Sequence, residues 1–155
     1  MARDRVCVVI GAGDATGGAI ARRFAREGYT AVVTRRHLDK LNHLVAEITS
    51  AGGKVHPFGS DARDEDQVVK LFREIETEIG DVEVFVFNIG GNVRFDIRDT
   101  TARVYRKVWE MTAFAGFLTA REAAKAMVPR GRGTIDRKST RLNSSHITIS
   151  YAVFC

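Results

Sequence analysis

The 155-residue chain has two cysteines, Cys7 near its start and Cys155 at its end. Two thiols so placed build no disulfide framework, and the four histidines, His37, His43, His56 and His146, have no metal-ligand spacing. No apolar run approaches the roughly 18–20 residues of a membrane span. Met1–Arg5 leads directly into a β-branched run, without the hydrophobic stretch of a signal peptide, so the cytoplasm is the expected compartment. Also missing is a basic stripe interleaved with aromatics. The formal charge is +5, but Arg22, Arg23 and Arg26 sit among acidic neighbours, and Lys70, Arg73 and Glu74 are mixed the same way. No nucleic-acid partner is expected, and an anionic small ligand accounts for the positive balance equally well. What remains is an ordinary globular composition, 45% hydrophobic and 28% charged, long enough for one domain with a core.

Short apolar runs alternate with segments of helical period. Val6–Ile10 reads as a strand, Gly17–Glu27 as a helix, Thr30–Thr34 as a second strand, and Leu38–Ala51 as a helix carrying Leu41, Leu44, Val45 and Ile48 on one face. Lys54–Gly59 is a weaker third strand. Asp64–Ile79 reads as a helix whose first turn, Asp64, Glu65 and Asp66, complements the helix dipole. Val82–Asn88 is a fourth strand, Thr101–Met127 a long helix, and Gly133–Ile135 the start of a fifth strand. Gly28, Gly52–Gly53 and Gly80 stand where a left-handed residue would end each helix. The alternation predicts a Rossmann-type α/β fold, a doubly wound parallel sheet of order 3-2-1-4-5 with helices on both faces.

Then glycine disappears. All 14 glycines lie at or before Gly133, and Asp136–Cys155 has neither helical period nor a further strand–helix unit, only a strand-like run over Ile147–Phe154. This predicts a domain over residues 1–135, cut short at its fifth strand, and a disordered or poorly packed tail over 136–155. The tail resembles translated adapter read-through; the other reading is a divergent natural C-terminus.

The stretch VCVVIGAGDATGGAIARRFARE, Val6–Glu27, joins a strand to a helix through a glycine-rich turn, a geometry that aims unpaired helix N–H groups at a phosphate. Two common versions are absent. A Walker loop needs Lys then Ser or Thr after its last glycine, and Gly18-Ala19 supplies neither. A G-x-G-x-x-G fingerprint wants glycine at position 16, which is Thr16. Gly11, Ala15 and Gly17 instead fill a G-x-x-x-G-x-G spacing, with Asp14 and Thr16 between them. A bare structural turn is the other reading of these residues.

This spacing resembles the short-chain dehydrogenase/reductase family, and the resemblance runs in register from about Arg5 to Ile135. It implies NAD(P) binding, with Ala15 replacing the family's middle glycine and narrowing the turn. At the end of the second strand, NAD-binding members place a carboxylate for the ribose 2′-OH; here stand Arg35 and Arg36, with no acid before Asp39. Two guanidinium groups suit a 2′-phosphate, so NADP(H) is expected over NAD(H); solvated loop arginines are the alternative. Asp61-Ala62 follows the third strand where the family uses a carboxylate to accept the adenine amino group, and Asp61 also reads as a helper of the next helix. Asn88-Ile89-Gly90 ends the fourth strand where the family usually has Asn-Asn-Ala-Gly. There Asn88 would tie neighbouring strands and Gly90 would let backbone approach the cofactor, although an ordinary turn reads the same way.

The family's long helix, here 101–127 with Trp109, often pairs with its copy, so a homodimer is expected. Thr112 stands where the family has a catalytic Asn that holds a water. The family's Ser and Tyr-x-x-x-Lys are not matched. Ser139 and Thr140 fall near the Ser position, but Tyr151 is followed four residues on by Cys155, so no catalytic residue is assigned. The resemblance implies an oxidoreductase acting on a carbonyl or alcohol, with this chain inactive as it stands. The alternative is a non-catalytic dinucleotide-binding module or sensor.

Overall fold

The computed structural model describes residues 3–91 and 96–137. The elements run β1 (Asp4–Ile10), α1 (Thr16–Arg26), β2 (Thr30–Arg35), α2 (Asn42–Ser50), β3 (Lys54–Gly59), α3 (Glu65–Glu74), β4 (Gly80–Phe87), α4 (Ala102–Trp109), α5 (Ala115–Met127) and β5 (Thr134–Arg137). All five strands are parallel, in the order β3-β2-β1-β4-β5. This is the Rossmann-type sheet that the alternation predicts.

β1 shows why a near-continuous apolar run forms the centre of such a sheet. A parallel strand covered by helices on both faces has no polar side. Val6, Val8 and Ile10 pack with Val68, Leu71 and Phe72 of α3 and with Ala115 and Ala123 of α5. Cys7 and Val9, pointing the other way, pack with Ala21 and Ala25 of α1 and with Leu44 and Ile48 of α2. Burial pushes the Cys7 thiol up to about 12, so it serves as a small core group rather than a nucleophile. At the opposite end of the sheet from the turns, the Asp4 carboxylate accepts from Lys54 Nζ (2.8 Å) and Thr30 Oγ1 (2.9 Å), linking three neighbouring strands.

Helix continuity is where the structure departs from the periodicity. Leu38–Ala51 opens with a 3₁₀ turn over Leu38–Leu41 before α2. The stretch expected to be one helix over Asp64–Ile79 is α3 followed by a π turn at Ile75–Ile79. Thr101–Met127 is likewise broken into α4 and α5 by a π turn at Glu110–Phe114. A π turn widens the helix locally and rotates the residues beyond it. None of the α4 residues is buried, whereas α5 turns Ala115, Leu118, Thr119 and Ala123 into the core. Gly80 also differs: its backbone is extended (φ 170°) and it opens β4, where glycine is needed for space, since a Cβ would strike the Asp4 carbonyl. Gly28 and Gly52, by contrast, take the left-handed conformation expected of them.

β5 continues to Arg137, two residues past the expected domain edge. Ser139, Thr140, Tyr151, Cys155 and the strand-like run 147–154 lie outside the described residues. Among the described residues, no helix is long and apolar enough to cross a membrane.

Candidate functional site

The sheet order reverses between β1 and β4, and at that switch the C-terminal strand ends open a crevice. The turn leaving β1 is built almost wholly from backbone. Gly11 takes φ +84°, and the Gly11 and Ala12 N–H groups both donate to the Thr34 carbonyl (3.2 and 3.0 Å). Gly13 N–H donates to Gly11 O (3.0 Å) and Gly18 N–H to Gly13 O (2.7 Å). Gly17 packs into this turn so closely that an added Cβ would stand 2.6 Å from Gly11 O and 2.9 Å from Ala12 Cα.

α1 starts beyond it at Thr16, with Ala15 as N-cap and no side-chain cap. The positive end of the helix dipole is therefore left for an external anion. Asp14, Ala15 and Thr16 are exposed along the rim. Ala15 has a negative φ (−88°), so the left-handed conformation that favours glycine is not what this position of the family pattern uses here.

Asn88 holds the turn from the β4 side. Its backbone N–H donates to Ile10 O (2.9 Å) and its Nδ2 to Gly11 O (3.0 Å). These bonds join the ends of β1 and β4, more than an ordinary Asn-x-Gly turn would do. Asn88 Oδ1 is buried without a partner among the described residues. Ile89 comes next, against Gly11, and half-buried Gly90 continues the segment leaving the sheet.

Beside the turn lies a cavity of about 150 Å³ between the ends of β1, β2 and β3. Ile10, Ile89 and Met111 give it an apolar wall, and Arg35, Arg36, Asp61 and Arg63 a charged rim. Arg35 Nη1 donates to the Lys40 carbonyl (3.3 Å). Arg36 is exposed and makes no side-chain hydrogen bond or ion pair among the described residues.

Asp61 is engaged by Arg63. Its Oδ1 accepts from Arg63 Nε (2.9 Å) and N–H (3.0 Å), and its Oδ2 from Arg63 Nη2 (2.6 Å). This bidentate hydrogen bonding holds the Asp61 carboxyl below the usual carboxylate range despite partial burial, and Arg36 adds a smaller through-space effect. The alternative role for Asp61, capping the next helix, falls instead to Asp64, whose carboxylate accepts from Gln67 N–H (3.1 Å). Ala62 is buried beneath the rim.

Of the residues singled out from sequence, Gly11, Arg35, Arg36, Asp61 and Ala62 line this one cavity. Gly17 and Asn88 join it through Gly11, Asp14, Ala15 and Thr16 edge the neighbouring turn, and Gly90 is not part of the wall. Sequence reasoning missed Arg63 and Met111. The acid–x–base spacing Asp61-Ala62-Arg63 is a usable signal for the first. Nothing local signals Met111, whose direction depends on the π turn. Thr112, in the same π turn, donates its hydroxyl to Val108 O (2.7 Å), so its proton is committed to its own helix.

The comparisons with known proteins agree with this geometry. The short chain dehydrogenase family profile matches residues 5–137. Dehydrogenase/reductase SDR family member 1 of Mus musculus is 31% identical over 141 residues, covering 86% of this chain and 45% of that protein. Sorbitol-6-phosphate 2-dehydrogenase of Escherichia coli (strain K12) is 30% identical over 149 residues, covering 92% of this chain and 58% of that protein.

Among solved structures, a short-chain dehydrogenase from Rhodopseudomonas palustris superposes with a TM-score of 0.80 at 45% identity, covering 87% of this chain and 63% of that one. A metagenomic short-chain oxidoreductase in complex with NADP gives 0.81 at 27% identity, covering 88% and 62%. The chain thus spans about half the length of the curated relatives it matches. With the sheet order, the glycine turn and the matched span in agreement, the chain belongs to the short-chain dehydrogenase/reductase family.

Proposed function

We propose that this chain binds NADP(H) in preference to NAD(H), as the dinucleotide-binding part of an oxidoreductase acting on a carbonyl or alcohol. The observation that carries the reading is the strand-end cavity, where Arg35 and Arg36 stand at the end of β2 and the one carboxylate, Asp61, is already paired. The uncapped α1 start would take the pyrophosphate, the apolar wall of Ile10, Ile89 and Met111 the adenine, and Arg36 with Arg35 the 2′-phosphate. When bound, the nicotinamide supplies or accepts the hydride. Titrating the full chain with NADP⁺ and NAD⁺ tests this: tighter NADP⁺ binding is expected, and equal affinities overturn the preference.

A specific observation favours the non-catalytic module as the second reading for these 155 residues. None of Tyr29, Tyr105 and Tyr151 has Lys four residues on, and the Thr112 proton is spent on Val108. NADPH oxidation with aldehydes, ketones and quinones should therefore be nil for this chain even where binding is tight. Turnover above background removes this reading. The partner proposed is a second copy, docked through α4 and α5, where Tyr105, Trp109 and Phe117 are about half exposed or more. Sedimentation at increasing concentration should show a dimer that Trp109→Glu dissociates.

A further inference from the structure

Arg63 matches none of the positions from which NADP preference was read, yet it is the most firmly placed cation at the cavity. We infer that Arg63 is a specificity-determining residue, acting by neutralising Asp61. The inference rests on the proposed NADP(H) reading.

The charges on the cavity wall carry the argument. Arg35, Arg36 and Arg63 contribute three positive charges, and Asp61 is the one carboxylate among the described lining residues. Both Asp61 oxygens accept from the Arg63 guanidinium, and Oδ1 takes the Arg63 backbone N–H as well. The pair closes within one turn, two residues apart, so little chain entropy opposes it. Its side chains are about a third exposed, 28% and 33%, close enough to solvent to meet a ligand yet shielded enough for charge to matter.

Without Arg63, the nearby cation acting on Asp61 is Arg36. Asp61 would then compete with a 2′-phosphate for the arginine that is otherwise uncommitted, and would repel the phosphate directly. With Arg63 in place, Arg36 and Arg35 face the ligand uncompensated. Arg63 also fixes the carboxylate orientation, leaving Oδ2 with capacity for one more donor, such as an adenine amino group. The substitution should therefore act on the phosphate that distinguishes the two cofactors, and much less on the parts they share.

The test is the ratio of NADP⁺ to NAD⁺ dissociation constants, measured on the full chain for the unaltered protein, R63A and D61N/R63A. R63A should raise the NADP⁺ Kd about tenfold or more while moving the NAD⁺ Kd less than about threefold. The double variant has no carboxylate left among the described lining residues, and Glu110, which acts on Arg63 only through space, is present in both variants alike, so its ratio should return toward that of the unaltered protein. Retained NAD⁺ binding shows that R63A is folded; if R63A does not fold, R63Q, which keeps part of the side chain and an uncharged amide donor, carries the same expectation. An unchanged ratio in R63A overturns the inference while leaving the NADP(H) reading in place. Loss of preference in R63A with no recovery in the double variant also overturns it, because Arg63 would then grip the phosphate itself. Equal affinities in the unaltered protein overturn both.

Discussion

Two neighbouring regions of the crevice are built by opposite means. The turn after β1 is built mainly from backbone: N–H groups of Gly11, Ala12, Gly13 and Gly18 donate to carbonyls, and Gly17 and Gly18 stand against the carbonyls of Gly11 and Gly13. The cavity at the ends of β2 and β3 is side chain against side chain, with three arginines and one carboxylate. The first arrangement is rigid and, on the proposed reading, would take a phosphate whatever else the ligand carries. The second is adjustable, because charges at its rim change with single substitutions and leave the sheet alone. A dinucleotide fold divides affinity from discrimination in this way, and the two regions should fail differently.

The largest effect should come from filling the turn. In Gly17→Ala the new methyl meets Gly11 O at 2.6 Å and Ala12 Cα at 2.9 Å, neither of which can move without shifting β1 or the turn. Overpacking of this kind costs about 1–3 kcal/mol. Binding should suffer more than stability, since any relief displaces the N–H groups that face the anion. Calorimetric titration should find NADP⁺ and NAD⁺ both weakened by about 100-fold or more, with Tm lowered by several degrees. A variant that loses only NADP⁺ would break the division of labour.

Replacing charge at the rim should do the converse. Arg35→Asp with Arg36→Ala removes the donors facing a 2′-phosphate and adds a carboxylate at the end of β2. Charge-assisted hydrogen bonds are worth about 1.5–3 kcal/mol, so NADP⁺ affinity should fall about 10–100-fold. NAD⁺ affinity should hold or rise. Thermal stability should stay close to that of the unaltered chain, because the Arg36 side chain bonds to none of the described residues and Arg35 gives up only one long, exposed hydrogen bond, to the Lys40 carbonyl (3.3 Å). An unchanged NADP-to-NAD ratio would return both residues to the solvated loop.

Asn88→Ala is an intermediate case, since it acts on the turn from outside. It strips Gly11 O of the Nδ2 donor (3.0 Å) and weakens the tie between β1 and β4. The loss should be about 1–3 kcal/mol in stability, read as a drop in Tm, with both cofactors weakened to a similar degree. Discrimination should be untouched. A selective loss of NADP⁺ would place Asn88 with the rim rather than with the turn.

The same contrast explains what could be read from the sequence. Backbone-built features are written in composition: Gly11 and Gly17 are visible because few other residues fit, and β1 is visible because a doubly covered strand is apolar throughout. The strand order comes from the alternation for the same reason. Side-chain pairing is written more faintly. Arg35 and Arg36 could be singled out by position, but the Asp61–Arg63 pair depends on a turn bringing residues two apart into bidentate contact. The π turns were not legible at all. Ile75–Ile79 and Glu110–Phe114 each interrupt an amphipathic pattern, and one widened turn scarcely alters an apolar count. Met111 and Thr112 owe their placement to the second of these turns, which is why one was missed and the other located only by register.

The smallest effect sharpens the comparison through pH. The Asp61 carboxyl is lowered in the folded chain by its hydrogen bonds from Arg63, whereas in the unfolded chain it returns to about 3.9. The folded state therefore holds its proton less tightly, so the stability contributed by the pair is fully present above the unfolded value. It is lost as pH falls from there through the lowered folded value. The pair is partly exposed, so the contribution should stay within about 1 kcal/mol. Asp4 and Glu122 are lowered as well, Asp4 by its hydrogen bonds from Lys54 and Thr30; for Glu122, burial is the largest single influence and raises it, but Lys125 and Arg121 together outweigh it. Acid unfolding of the whole chain thus sums several groups. Subtracting the R63A curve from that of the unaltered chain isolates this pair. The two should run parallel below the lowered Asp61 value, with the unaltered chain gaining on R63A as pH rises from there toward the unfolded value. The glycine turn offers no such handle, and Gly17→Ala should shift the acid curve by the same amount at every pH. If R63A and the unaltered chain differ equally at about pH 3 and about pH 7, the Asp61–Arg63 contact contributes packing rather than charge, and the rim is less electrostatic than its geometry implies.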